Sequence, residues 1–266
     1  RDLIEIGRTK RNIPALFNPT FVRPKPPVPR PLRFEVRERV LYDGSVLTPL
    51  DQSALAQLVE SLRRAEPEAI AVCLLHSYAN PSHEQKVAEA LRKAFPRVPV
   101  SCSAEVVPEY REFERFSTTV FNAYLQPLME RYLETLEREL IGSGYRTGVL
   151  TVGSSGGIMT IQTAMRLPIK TLFSGPAGGV SQAVFVARQV GLRDLITYDM
   201  GGTSTDVSLV RGLSPVMITD NLIAAFPVKV PQVDINSVGA GGGSIAWVDV
   251  DGALQVGPQS AGADPG

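Results

Sequence analysis

Apolar and polar positions follow several rhythms along this chain, and each change of rhythm predicts an element. Phe34, Val36, Val40 and Tyr42 alternate with Glu35, Arg37 and Glu38. That period of two predicts a strand over 34–42, closed by the Asp43-Gly44 turn. Asp51 stands where a helix needs an N-cap, and Leu55, Leu58, Val59 and Leu62 then recur on one helical face. Residues 68–75 form a short apolar run, as expected of a strand buried on both sides. A second helix is predicted over 84–95 with Val87, Leu91 and Ala94 inward, followed by a strand over 98–102. Helix, strand, helix, strand is the order of a layered α/β sheet with parallel strands.

The longest helical pattern covers 117–141, with Phe121, Leu125, Leu128, Tyr132, Leu136 and Leu140 as its apolar stripe. Pro127 lies inside it and predicts a kink or a break into two helices. Gly142-Ser143-Gly144 ends the pattern. Beyond it, short apolar runs alternate with glycine-rich turns, and helices are predicted near 160–166 and 180–190. No internal repeat is visible at the residue level.

One turn concentrates more chemistry than the others. Leu195-Ile196-Thr197-Tyr198 leads into Asp199-Met200-Gly201-Gly202-Thr203-Ser204-Thr205-Asp206, and Val207-Ser208-Leu209-Val210 follows. This reads as strand, tight glycine turn, strand. Gly201 and Gly202 let the backbone bend sharply and bring N–H groups close to a ligand. Thr203, Ser204 and Thr205 add hydroxyl donors for phosphate oxygens. Asp199 and Asp206 flank the turn and suit a divalent cation, held directly or through its waters. An ordinary hairpin with a polar tip is the plain alternative.

Three further glycine-rich segments follow apolar runs: Gly153-Ser154-Ser155-Gly156-Gly157, Ser174-Gly175-Pro176-Ala177-Gly178-Gly179 and Gly239-Ala240-Gly241-Gly242-Gly243-Ser244. The second, with Gly175, Gly178 and Gly179, precedes a helix pattern and offers backbone N–H groups to an anion. The third, with Gly241, Gly242 and Gly243, lines nucleotide or substrate, or is a packed turn between Val238 and Ile245. No Gly-Lys-Ser/Thr of a P-loop occurs, and the glycines of 239–243 lack the context of a dinucleotide fingerprint.

Composition narrows the partners. Among 266 residues, Lys+Arg and Asp+Glu both number 27, and this zero formal net charge argues against a bulk electrostatic grip on nucleic acid or an anionic membrane. No apolar run reaches membrane-spanning length and no signal-peptide pattern opens the chain. Cys73 and Cys102 sit in or beside apolar runs without metal-ligand spacing, which predicts buried free thiols. Together these features predict a cytoplasmic protein. Residues 24–31 are proline-rich and must be extended, as a surface connector or an SH3-type ligand. His76 ends a predicted buried strand and is structural, a general base or a metal ligand. His83 is expected at the surface, 111–115 as a salt-bridged connector, and Trp247 in core or interface.

The hairpin at 199–206 resembles the phosphate-binding hairpin of the actin/Hsp70/sugar-kinase ATPase superfamily. With 174–179, 239–244, Gly257-Pro258-Gln259-Ser260-Ala261-Gly262-Ala263, Leu75-His76-Ser77-Tyr78 and Tyr110-Arg111-Glu112-Phe113-Glu114-Arg115, the chain resembles the hydantoinase A/5-oxoprolinase family over nearly its whole length. That resemblance implies actin-like, ribonuclease-H-like α/β lobes: part of a first lobe over 1–115 and most of a second over 116–266, joined near the long helix. It implies ATP with Mg²⁺ or Mn²⁺, Gly201, Gly202 and Thr203 against the β- and γ-phosphates, and Asp199 or Asp206 at the cation or the attacking water. It implies ATP-driven ring opening of a hydantoin, N-methylhydantoin or 5-oxoproline, an oligomer, and a hydantoinase B-type partner subunit. The ATP-binding subunit of an acetone or acetophenone carboxylase carries the same motifs. A nucleotide-gated binding or assembly subunit without chemistry of its own is a third possibility. The family's first phosphate hairpin has no counterpart before Asp199, the chain stops at Asp264-Pro265-Gly266 inside a continuing motif, and no initiator Met is present. The sequence therefore reads as an internal piece of a longer protein, inactive alone.

Overall fold

The computed structural model describes Leu3, residues 19–20, Val22, 25–223 and 226–262. Pro24 of the proline-rich run, Ala263 of the last motif and the closing Asp264-Pro265-Gly266 lie outside the described residues. The chain forms two compact units. The first holds Arg1–Val149, Thr160–Ile169 and Asp220–Val230, and the second Leu150–Met159, Lys170–Thr219 and Pro231–Gly266.

The first unit opens with the hairpin β1 (Arg39–Val40) and β2 (Val46–Thr48). Helix α1 (Gln52–Ala65) starts at Asp51, whose carboxylate accepts the N–H groups of Ser53 and Ala54 at 2.9 and 3.1 Å. That cap satisfies two of the helix's orphan donors. Strand β3 (Ile70–Val72), helix α2 (Ser82–Ala94) and strand β4 (Val100–Cys102) follow. β3 and β4 are parallel, with Ile70 opposite Val100 and Val72 opposite Cys102, as a strand–helix–strand crossover requires. Leu55, Leu62, Ile70, Val72, Val87, Leu91 and Val100 form one core. The short helix α3 (Ser103–Val106) leads to α4 (Glu112–Gly142).

Helix α4 corrects two expectations. Of the two outcomes expected at Pro127, the break does not occur: α4 is one uninterrupted helix of 31 residues. Its predicted apolar stripe is only partly covered: Phe121 packs beside Phe226 and Leu125, Leu136 and Leu140 are half-buried, but Leu128 and Tyr132 are 63% and 58% exposed. The buried face carries Phe113, Arg115, Ser117, Thr118, Thr119, Asn122, Ala123, Gln126 and Leu133. Hydrogen bonds compensate the burial of these polar groups along the middle of the helix. Asn122 donates to Ser101 Oγ and to the Arg166 carbonyl at 3.0 and 3.1 Å and accepts from the Ile169 N–H. Ser101 donates to Gln126 Oε1 at 2.6 Å, and Thr118 Oγ1 accepts the Lys229 N–H at 2.8 Å. A fully bonded buried network costs little, so polar residues can fill a helix's inner face.

His83 is a third correction. It is buried, and its Nδ1 lies 2.9 Å from Glu38 Oε2, tying α2 to the segment before β1. Both cysteines are free thiols. Burial raises the Cys73 thiol pKa well above its usual range and pushes that of Cys102 up to about 12.

In the second unit, β5 (Leu150–Val152) pairs with β6 (Ile158–Thr160). Helix α5 (Ile161–Arg166), in the first unit, follows, and the chain returns to the second unit for α6 (Ser174–Val190). The segment 174–179, predicted as a glycine turn before a helix, forms the opening turns of α6 itself. Ala177 is fully buried and Gly178 lies against Val152, so packing overrides the weak helix preference of glycine. Strands β7 (Leu195–Met200), β8 (Thr205–Arg211) and β9 (Ser214–Pro215) are followed by β10 (Met217–Ile223), β11 (Phe226–Val233) and β12 (Ile235–Val238). β7 and β12 flank β8, all antiparallel, and β9 also pairs with β8. Ala177, Val180 and Val184 of α6 pack against Val210 and Val233. A last hairpin joins β13 (Ser244–Val248) to β14 (Leu254–Ser260). Both units mix α-helix and β-strand, in keeping with the α/β class.

Candidate phosphate site

The predicted hairpin is present. Asp199 on β7 stands directly opposite Asp206 on β8, and Ser237 on β12 stands opposite Asp206 in turn. Residues paired across neighbouring strands project from the same face, so the three form one row across the sheet. Two like charges directly opposed are destabilising. Ser237 offsets part of this by donating its hydroxyl to Asp206 Oδ1. Asp199 has no such partner among the described residues and is exposed. The same sheet face carries Val210, against which α6 packs. A Cβ at Gly179 of α6 would sit 3.9 Å from Asp199 Oδ2. Helix α6 has no side-chain N-cap, which leaves its first-turn N–H groups uncapped by any side chain.

The turn between the aspartates is polarised. The Gly201 N–H bonds the Ser204 carbonyl at 2.9 Å and closes the turn. The Gly201 and Gly202 carbonyls accept the N–H groups of Gly242 and Gly243 at 2.9 and 2.8 Å. The carbonyls of both glycines of the tip are thus occupied by the second glycine loop. The hydroxyls of Thr203 and Ser204 and the N–H groups of Gly202, Thr203 and Ser204 have no partner among the described residues, so the tip presents donors outward. Converging free backbone N–H groups make a local positive potential suited to an anion.

This docking dictates glycine at one position above all. A Cβ on Gly241 would come within 2.6 Å of the Thr203 nitrogen and the Gly202 carbonyl carbon. No side chain fits there without moving the turn. Gly241 donates its own N–H to Ser244 Oγ at 2.8 Å, and Thr205 Oγ1 donates to the Ala240 carbonyl. The N–H groups of Gly241, Gly242 and Gly243 are therefore all used inside the protein, and this loop is the brace of the turn. Gly243 in turn accepts the Ala261 N–H at 2.8 Å, which links the brace to the end of the β13–β14 hairpin. Trp247, predicted in core or interface, is 40% exposed and lies 3.4 Å from the Gly257 carbonyl through its indole nitrogen. Gly175, Gly178 and Gly179 all lie in α6, and of these Gly179 approaches the aspartate row.

Among the described residues no three His, Cys, Asp or Glu side chains converge as a ready-made metal site. Asp199 and Asp206 thus offer two carboxylates, enough for a hydrated cation that takes its other ligands from water and phosphate. Sequence reasoning finds this hairpin because its signals are local. It misses a buried charge cluster in the first unit. There Arg115 is fully buried and donates through Nη2 to the Leu74 carbonyl at 2.8 Å. Glu84, also fully buried, accepts from the Leu74 and Ala104 N–H groups and from Ser103 Oγ at 2.7–2.9 Å. Burial raises the Glu84 pKa, opposed by these hydrogen bonds. His76 lies in a turn after β3 with φ of +57°, its Nδ1 3.6 Å from Glu112 Oε1 and 3.5 Å from the Tyr78 hydroxyl. No helix among the described residues is long and apolar enough to cross a membrane.

Comparison with known proteins agrees with the motifs. The family model described as Hydantoinase/oxoprolinase matches residues 115–266, and its N-terminal-region companion matches 1–95. The chain is 39% identical to the caprolactamase alpha subunit of Pseudomonas jessenii over 90% of its own length and 34% of that protein's. It is 35% identical to 5-oxoprolinase 1 of Arabidopsis thaliana, covering all of this chain and 22% of the relative. The crystal structure of the ATP-dependent P. jessenii caprolactamase superposes with a TM-score of 0.80 at 35% identity, over 99% of this chain and 38% of that one. A nucleotide-free structure of acetone carboxylase, from work on ATP-dependent acetone carboxylation, gives 0.77 at 28% identity, over 98% and 38%. The chain spans well under half the length of these relatives. Motifs, fold and family models agree that it belongs to the hydantoinase/oxoprolinase family.

Proposed function

We propose that this chain carries the nucleotide-phosphate site of an ATP-dependent enzyme that hydrolytically opens a cyclic amide, such as a hydantoin, N-methylhydantoin or 5-oxoproline. The observation that carries this reading is the polarity of the Gly201–Ser204 turn, with both glycine carbonyls capped and the N–H groups of Gly202, Thr203 and Ser204 free among the described residues. Names of relatives support it: caprolactamase and 5-oxoprolinase act on cyclic amides. We read residues 1–115 and 116–266 as parts of two actin-like, ribonuclease-H-like lobes.

ATP, when bound, would supply a phosphoryl group that activates the ring carbonyl carbon toward water; the ring C–N bond would then break with the nitrogen leaving protonated, and a second water would release the phosphoryl group as phosphate. The chain's own part is positioning and charge neutralisation, which dominate phosphoryl transfer. Gly202, Thr203 and Ser204 donate to phosphate oxygens. The Gly239–Ser244 loop holds the turn in place, so no reorganisation is needed when charge develops. Asp199 and Asp206 hold Mg²⁺ or Mn²⁺ mainly through its waters, and Ser237 fixes the orientation of Asp206. A hydantoinase B-type subunit completes the enzyme, in keeping with relatives named as subunits.

A second reading, the ATP-binding subunit of a ketone carboxylase, is favoured by the likeness to acetone carboxylase. Phosphate release from Mg-ATP by the intact protein with its partner separates the two. Stimulation by 5-oxoproline, hydantoins or caprolactam supports the amidase, and stimulation only by acetone or acetophenone with bicarbonate replaces it. Asp199→Ala is expected to lower metal-dependent release by about a hundredfold or more while circular dichroism is unchanged. Normal release and metal dependence in that variant would remove Asp199 from the site.

A further inference from the structure

We infer that Glu112 and Arg115, at the start of α4, form the recognition site for the cis-amide edge of the ring substrate. This rests on the cyclic-amide reading above and adds where the ring is read.

Arg115 is fully buried, yet its Nε and Nη1 have no hydrogen-bond partner among the described residues. Oε1 of Glu112 is also buried without a partner. Its shortest approach to the guanidinium is 4.0 Å, to Nη2, too long for a hydrogen bond. Unpaired donors and an unpaired acceptor therefore belong to two side chains one turn of α4 apart; the bonded Nη2 lies 4.0 Å from the acceptor and shares its guanidinium with the free Nε and Nη1. Each alone carries a substantial desolvation cost. Neighbouring polar groups come close without bonding them: His76 Nδ1 stands 3.6 Å from Glu112 Oε1, and Glu84 is already bonded to Leu74, Ser103 and Ala104. Tyr78 and Phe116 present their rings to the guanidinium, with centroids 5.4 and 5.3 Å from Cζ. The cluster meets solvent where His76 and Glu112 each keep 22% of their side-chain surface.

A donor beside an acceptor fits a ligand that offers the reverse pair on one edge. An open-chain secondary amide is trans, so its N–H and C=O point in opposite directions. A small ring forces the amide cis and turns both groups to the same side. A simple carboxylate offers only acceptors and leaves Glu112 unmatched. A ketone lacks the N–H. The cis secondary amide of a lactam or hydantoin satisfies Glu112 through its N–H and Arg115 through its C=O. The Arg115 contact would also draw electron density from the carbonyl carbon that must be attacked.

The test is binding to the full-length protein without nucleotide, followed by the His76 imidazole resonances. Four probes of similar size are compared: 2-pyrrolidone, N-methyl-2-pyrrolidone, cyclopentanone and open-chain N-methylacetamide. A saturable shift with 2-pyrrolidone is expected, with the other three at least about tenfold weaker, because each leaves a buried partner unmatched. Glu112→Leu, a partly exposed first-turn position, should abolish that preference. Arg115→Lys should weaken 2-pyrrolidone binding if it folds, but Glu112 alone carries the decision. Equal binding of the three rings, no saturable shift with 2-pyrrolidone, or an unchanged preference in Glu112→Leu each overturns the assignment. No nucleotide is present, so failure of the phosphate hairpin would not mimic these results. Ring-amide-stimulated phosphate release without a Glu112-dependent preference would reject this site and leave the ATP reading intact.

Discussion

The turn at Gly201–Ser204 and the cluster around Arg115 solve the problem of polarity in opposite ways. The turn is built from backbone at an exposed tip. The carbonyls of its two glycines are bound by Gly242 and Gly243, and the N–H groups of Gly202, Thr203 and Ser204 remain free among the described residues. The cluster is built from long side chains in a buried place and keeps both a donor and an acceptor unpaired. A backbone site of one sign suits a phosphate, whose oxygens all accept. A side-chain site of mixed sign suits a group that both donates and accepts. The first rests on glycines and hydroxyls held in a fixed backbone. The second depends on two named side chains.

The largest effect that separates the regions is expected at Gly241. Gly241→Ala places a methyl group within 2.6 Å of the turn backbone. Backbone cannot rotate away as a side chain can, so nucleotide affinity should fall by more than about tenfold. Ring-amide binding at Glu112 should be unchanged, which calorimetric titration of each ligand checks. Loss of both together would mean that the substitution unfolds the protein, and retention of nucleotide affinity would mean that the brace is dispensable.

Packing of α4 comes next. Leu133→Ala, at a buried position, should cost about 2–5 kcal/mol by urea unfolding. Leu128→Gln, at an exposed one, should change stability by less than about 0.5 kcal/mol. The reverse order would restore the apolar stripe read from the sequence.

Glu84→Gln should cost about 1–3 kcal/mol, because one of three donors then meets an NH₂ group. The sign of its pH dependence follows from the raised pKa. Folded Glu84 holds its proton more tightly than unfolded Glu84. Its contribution is therefore complete below the ordinary carboxylate pKa and is lost as pH rises through the folded value. The stability difference between wild type and Glu84→Gln should shrink as pH rises from about 4 to 7. A difference that grows over that range would contradict the direction assigned to Glu84.

These contrasts also explain what the sequence discloses. The hairpin is legible because Asp199, the glycines, the hydroxyls and Asp206 are neighbours in the chain and the chemistry is local. The parallel pair β3–β4 is legible from two short apolar runs separated by a helix. Helix α4 defeats the apolar-stripe reading because side-chain polarity is a poor guide to exposure there. Ser117, Thr118, Asn122 and Gln126 are buried by partners more than twenty residues distant, or by the helix's own carbonyls. His83 defeats the surface reading for the same reason, since its partner Glu38 is 45 residues away. The glycines of 174–179 look like a loop when intrinsic preference is weighed without the packing of α6. The role of Gly242 and Gly243 as a brace needs the tertiary pairing of two turns, which no local pattern encodes.

The most direct measurement is the backbone amide spectrum of the full-length protein as ATP and magnesium are added. The N–H resonances of Gly202, Thr203 and Ser204 should move most and downfield, as free donors acquire phosphate oxygens, and those of Gly242 and Gly243 should move least. Saturable nucleotide binding that leaves Gly202, Thr203 and Ser204 in place would contradict the phosphate site at its centre.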